Sequence, residues 1–161
     1  MTRQERQNLA APCGVYCGAC SAYVAFHRGN SGRLEEIARS IAERQGWKVE
    51  PDDLACEGCL SAELVATFCR NCSIRACAFQ KGLTHCAQCT DFACQRITDF
   101  NNDGIRHHSE VLANIRRQKE VGVNAWLDEQ EKRWRCPACG GSIDWYARQC
   151  PDCFSAVARQ F

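Results

Sequence analysis

Between residues 31 and 45 the chain reads SGRLEEIARSIAERQ, and its apolar residues Leu34, Ile37, Ala38 and Ile41 recur at the spacing that gathers them on one side of a helix. Ser31 can cap that helix and Gly46 can stop it. Its apolar stripe needs a partner, and AYVAFHRG, just after Cys20, is a shorter helix candidate that can supply one. A second pattern runs over 105–134, where Ile105, Leu112 and Ile115 form one stripe. Gly122 interrupts it, and Val123, Trp126, Leu127 and Trp134 resume it, which predicts two helices folded as a hairpin. Near the end, Ile143, Trp145 and Tyr146 sit in a short stretch that suits a small β-hairpin.

Fifteen cysteines in 161 residues dominate the rest of the picture. The stretch MTRQERQNLAAPCG lacks the apolar run of a signal peptide, and nothing approaches the roughly 20 apolar residues of a membrane span. The expected setting is therefore the cytoplasm, with no membrane partner. Thiols stay reduced there, and an odd cysteine total does not pair off completely, so C-x2-C pairs read as metal ligands rather than disulfides.

The tail CPACGGSIDWYARQCPDC carries two such pairs, Cys136 with Cys139 and Cys150 with Cys153, the signature of a zinc ribbon. In the middle, Cys69, Cys72 and Cys77 follow C-x2-C-x4-C, and Cys86, Cys89 and Cys94 repeat that spacing 17 residues later. With Cys56 and Cys59 these make eight thiols, enough for two closed four-sulfur sites. Short loops close at lower entropic cost, which groups them as Cys56, Cys59, Cys69, Cys72 and as Cys77, Cys86, Cys89, Cys94. A crossed grouping remains open. Soft tetrahedral thiolate sets select Zn2+ or iron–sulfur clusters over hard cations.

Three cysteines are left, Cys13, Cys17 and Cys20 in CGVYCGAC. Their fourth ligand is the open question. His27 lies seven residues beyond Cys20, about 10 Å along a helix, near the limit of a shared ion. His85 can replace a cysteine of the middle block, Cys94 can complete the set, or the position is open to an outside ligand and the loop is the functional centre. His107 and His108 are expected to face solvent. The same C-x3-C-x2-C spacing serves radical S-adenosylmethionine enzymes, but this chain is too short and lacks the alternating strands and helices of their barrel.

Lys plus Arg is 20 against 19 for Asp plus Glu, so no bulk positive charge draws the chain to nucleic acid or anionic lipid. No phosphate-cradling glycine loop, nucleophile triad or carboxylate pair stands out, and no catalytic residue is assigned. Together CGVYCGACSAYVAF, LACEGCLS and CRNCSIRACAFQKGLTHCAQCTDFAC resemble the cysteine-rich family known as domain of unknown function 3795, over about residues 12–100. Ser21 and Ala93 stand where members often have proline, which leaves the ligands in place but removes a stiffener. The resemblance implies metal binding without an established reaction.

The expected fold is small and metal-stabilised, mainly α with short irregular knuckles and a C-terminal β-hairpin zinc ribbon. Its expected units are a cysteine-rich multi-metal domain at 1–104, a helical hairpin at 105–134 and a zinc ribbon at 135–161. The expected cofactors are about three to four zinc ions, with a [4Fe-4S] cluster at Cys13, Cys17 and Cys20 as an alternative. A structural or interaction module that binds another protein, and less readily nucleic acid, is the leading functional expectation. An iron–sulfur protein is the alternative. Metal trafficking or thiol redox sensing, with Arg70, Arg75 or Arg96 activating nearby thiolates, is a third.

Overall fold

Helices are the main regular elements of the computed structural model, which describes residues 1–158 and 161. Positions 159 and 160, within the expected ribbon, lie outside the described residues. The long amphipathic segment forms helix α3 (Ser31–Gln45), with the bounds its pattern predicts. Its cap is Asn30, one residue before the expected serine, whose side chain accepts the Arg33 amide at 3.0 Å. Gly46 ends it in the left-handed conformation, φ 69°. The preceding α2 (Ser21–His27) supplies the predicted partner. With the turn Pro51–Leu54, the two helices close a small core around Ala22, Ala38 and Leu54.

Three short helices occupy the cysteine-rich middle or its edges: α4 (Thr67–Arg70), α5 (Ser73–Gln80) and α6 (Gln95–Asn101). The predicted hairpin is α7 (Val111–Val121) and α8 (Val123–Arg133). Gly122 joins them at φ 82°, ψ 157°, a conformation essentially reserved for glycine, which is why the helix breaks there. At the N-terminus a Thr2–Glu5 capping box starts helix α1 (Arg3–Gln7), a turn and a half that Arg6 ties to Asp128 and Glu131 of α8.

The larger core gathers Tyr16, Ile97, Ile115, Trp126, Leu127, Trp134, Ile143 and Trp145. It therefore draws on the cysteine-rich stretch, the helical hairpin and the tail alike.

The expected C-terminal β-hairpin does not form. Among the described residues there is no β-strand, only isolated antiparallel bridges, two of them in the tail at Arg135 with Ser142 and Gln149 with Ala156. Each bridge closes one C-x2-C knuckle upon itself rather than pairing the two knuckles. The segment between them has its donors committed elsewhere. Ile143 donates to the Trp134 carbonyl at 3.0 Å, Trp145 to the Ala19 carbonyl at 2.9 Å, and Tyr146 to the Asp144 carboxylate at 2.8 Å. Burial of Ile143 and Trp145 in the main core outweighs the pairing that their apolar spacing suggested.

Candidate metal centres

The tail knuckles are near copies of each other. Cys136 donates its amide to the Gly141 carbonyl at 2.8 Å, and Cys150 does the same to Ser155 at 2.9 Å. Gly140 returns to Cys136 and Phe154 to Cys150, both from positive φ, 75° and 59°. These matched turns bring four sulfurs together: Cys136, Cys139, Cys150 and Cys153 all offer Sγ atoms within 4.8 Å of one another. Cys136 and Cys153 are 3.7 Å apart, and Cys139 and Cys150 3.6 Å. A tetrahedron with zinc–sulfur bonds of about 2.3 Å places its sulfurs about 3.8 Å apart, so the set fits such an ion. This group can hold a metal.

The thiols already share protons unequally. The Ser155 hydroxyl and amide, then Cys139, draw Cys153 down to about 6. Cys139 receives the Gly141 amide, yet its neighbours Cys153 and Cys150 push it up to about 12. A cation at the centre would release the proton that Cys139 keeps.

An amide two residues on that points back at a cysteine sulfur marks the turn geometry of a metal knuckle, and it recurs outside the tail. Gly58 donates to Cys56 at 3.3 Å, as Asp152 does to Cys150 at 3.4 Å. Val15 likewise faces Cys13, and Ala22 and Tyr23 face Cys20. Cys20, Cys72 and Cys94 are the N-cap residues of α2, α5 and α6. Each knuckle that feeds a helix thus presents its last sulfur near the positive end of the helix dipole.

CGVYCGAC is sequestered. Cys13 is 8% exposed and Cys17 7%, and the loop packs on α7, where a side chain at Gly14 would strike Ile115. Its neighbours are the knuckle at 56–59 and Cys69. The Cys59 amide donates to Cys17, whose thiol is raised by burial first and then by Cys59, Cys56 and Cys20. Burial, then Cys59, also raises Cys13, and Cys20 is pushed up to about 12 chiefly by burial. The side chains of Cys69 and Cys59 interact, which raises Cys69 and lowers Cys59, and Arg75 donates to the Cys59 carbonyl at 2.9 Å. Five thiols from three segments, Cys17, Cys20, Cys56, Cys59 and Cys69, thereby lie close enough to influence one another, without converging as the tail set does. Buried thiolates in such a set need a positive charge among them.

The remaining five, Cys72, Cys77, Cys86, Cys89 and Cys94, are partly exposed. Among the described residues, only the tail set converges within 4.8 Å.

The histidines take other work. His27 Nε2 bonds the Cys56 carbonyl oxygen at 3.1 Å. His85 is buried, 5% exposed, and burial lowers its basicity. His107 and His108, expected in solvent, are instead half-buried. The His107 ring stacks on Trp145 at 3.7 Å, and burial, then His108, holds it down at about 3. His108 bonds the Asp103 carboxylate at 2.8 Å.

Arg28 was missed as a site residue. It bonds the Ser142 carbonyl at 2.9 Å and the Asp152 carboxylate, clamping both tail knuckles to the end of α2. Those partners lie 114 and 124 residues away, beyond any local signal.

Fold and sulfur arrangement describe a cysteine-rich, mainly helical chain with one four-sulfur group that could hold a metal. The chain belongs to the family described as protein of unknown function (DUF3795), which it matches over residues 9–99. The tail tetrad lies beyond that match. No curated protein and no solved structure matches the chain. Among the described residues, no helix is long and apolar enough to cross a membrane.

Proposed function

We propose that this chain is a zinc-binding structural module that presents a surface to another protein. The tail tetrad carries the reading: four sulfurs spaced for one tetrahedral ion, with amides already turned toward them. A closed set of four thiolates suits Zn2+, which has no redox chemistry and serves to fix a fold. The bound ion would hold both knuckles while Arg28 and the Trp145 amide fasten them to the rest. Exposed Trp47, Phe79 and Phe154 supply apolar contact points. Near-neutral charge, 20 basic against 19 acidic residues, favours a protein over nucleic acid as the partner.

Elemental analysis of the full-length protein, purified without chelators, tests this. Zinc is expected, with one equivalent lost on Cys139→Ser. Zinc absent from the wild type, or unchanged in that variant, overturns the reading.

One observation favours a second reading. Cys17, Cys20, Cys56, Cys59 and Cys69 lie close enough to influence one another, and four of them would supply the thiolates of an iron–sulfur cluster. Stoichiometric iron and a brown colour after anaerobic purification would select it.

A further inference from the structure

The last third of the family-matched region encloses a cavity that neither reading uses. Cys77 reaches it from α5, Cys86 and Cys89 from the two ends of one tight turn, and Cys94 from the start of α6. The turn is closed by the Cys89 amide on the Cys86 carbonyl at 3.0 Å. The cavity measures about 30 Å³, room for a single water or ion. A water needs two or more polar partners, and apart from the cysteines, Lys81 and Arg96 the wall is hydrocarbon, with buried Ile97 and half-buried Phe92 contributing. Sulfur is the main chemistry the space offers. Two cations stand beside it: Lys81 lies 3.7 Å from the Cys89 sulfur, and Arg96 is on the wall.

We propose that this cavity is a second metal centre, in which Cys77, Cys86, Cys89 and Cys94 bind a zinc ion separately from the tail. The proposal shares with the reading above only the premise that the chain binds zinc. A divalent ion held by four thiolates keeps two negative charges; Arg96 offsets part of them, while Lys81 is already paired with Asp91 at 2.5 Å. On binding, four thiol protons pass to solvent and four sulfur–zinc bonds form.

The four cysteines line the space, but no three of their sulfurs lie within 4.8 Å of one another, so binding requires side-chain rotation.

All four cysteines are partly exposed, so burial alone does not shield them. In the zinc-loaded full-length protein, alkylation by iodoacetamide, read by peptide mass spectrometry, should spare Cys77, Cys86, Cys89 and Cys94 together. Chelation should speed their labelling together by about tenfold or more. Cys139 reports on the tail in the same sample. If it labels in the loaded protein while the quartet is spared, the tail reading fails and this one stands. A second measurement uses Co2+ in place of zinc. Cys94→His should keep the cobalt stoichiometry while shifting the visible bands, because nitrogen replaces one sulfur, and Cys94→Ala should lose one equivalent. Rapid labelling of Cys86 and Cys89 in the loaded protein, or a Cys94→His spectrum identical to wild type, overturns the proposal.

Discussion

The tail and the family-matched region use the same ligand and similar turns, but they assemble their sulfurs differently. All four tail cysteines come from residues 136–153, and two self-closed knuckles bring them within 4.8 Å of one another. In the region 9–99, the five thiols around Cys59 come from three separated segments and rest on buried surroundings. Local backbone closure positions the first set, whereas tertiary packing positions the second. The sulfur geometry of the tail thus rests on its own turns, although Cys136 and Cys150 are buried in the main core, while that of the centre rests on packing throughout.

The sharpest test of that contrast is Cys59→Ser. Cys59 is 5% exposed and touches Cys17, Cys69 and Arg75, so its loss should destabilise the whole chain by about 4 kcal/mol or more. Chemical denaturation followed by far-UV circular dichroism reads the effect. A variant with wild-type stability would show that no metal depends on that set.

Cys136→Ser should remove one metal equivalent and lower stability by about 2–4 kcal/mol. Cys136 is 2% exposed and shares the main core with Trp134 and Trp145, so the damage should reach beyond its knuckle. Hydrogen exchange should show lost protection across about residues 134–156, spreading to the loop at 17–19 through the Trp145 amide. Protection lost strictly within the tail would mean that its docking contributes little.

A pair of glycine substitutions separates crowding from backbone strain. Gly58 has φ 103°, and a side chain there would run into the Asn8 carbonyl. Gly140 has φ 75° with nothing within 4 Å. Gly58→Ala should therefore cost about 2–3 kcal/mol and Gly140→Ala about 1 kcal/mol, measured as the shift in denaturation midpoint. Equal costs would refute the claim that the centre is the tightly packed region.

The smallest effect expected has the opposite sign. Phe154 holds the position that Gly140 holds in the twin knuckle, at φ 59° and 72% exposed. Phe154→Gly should relieve its strain and raise stability by up to about 1 kcal/mol, visible as a higher melting temperature. A lower melting temperature would show that the ring makes a contact worth more than the strain.

The sequence made helices and their ends legible because the causes are local. Leu34, Ile37 and Ile41 set the stripe of α3, and Gly46 and Gly122 supply backbone conformations that other residues resist. The tail tetrad was legible for the same reason, since each knuckle closes on its own neighbours. The β-hairpin was misjudged because Ile143, Trp145 and Tyr146 have a strand's composition, while the partner of the Trp145 amide is Ala19, far back in the chain. The surroundings of CGVYCGAC were hidden likewise. Spacing counts thiols, but only the packing of the loop on α7 and on the knuckle at 56–59 brings Cys17 to Cys59. Histidines at 107 and 108 read as surface residues until Trp145 supplied the face on which one of them stacks.

The bond from Trp145 to Ala19 also bears on the order of synthesis. A ribosome releases the N-terminal loop first, and the residue that covers it emerges only after most of the chain has been made. At about 5–20 residues per second, that interval lasts on the order of ten seconds. Throughout it, Cys13, Cys17 and Cys20 lack the neighbour that later lies against their loop. The earliest thiols to emerge are thus among the last to be enclosed, and an ion reaching them during translation meets an open loop rather than a finished core.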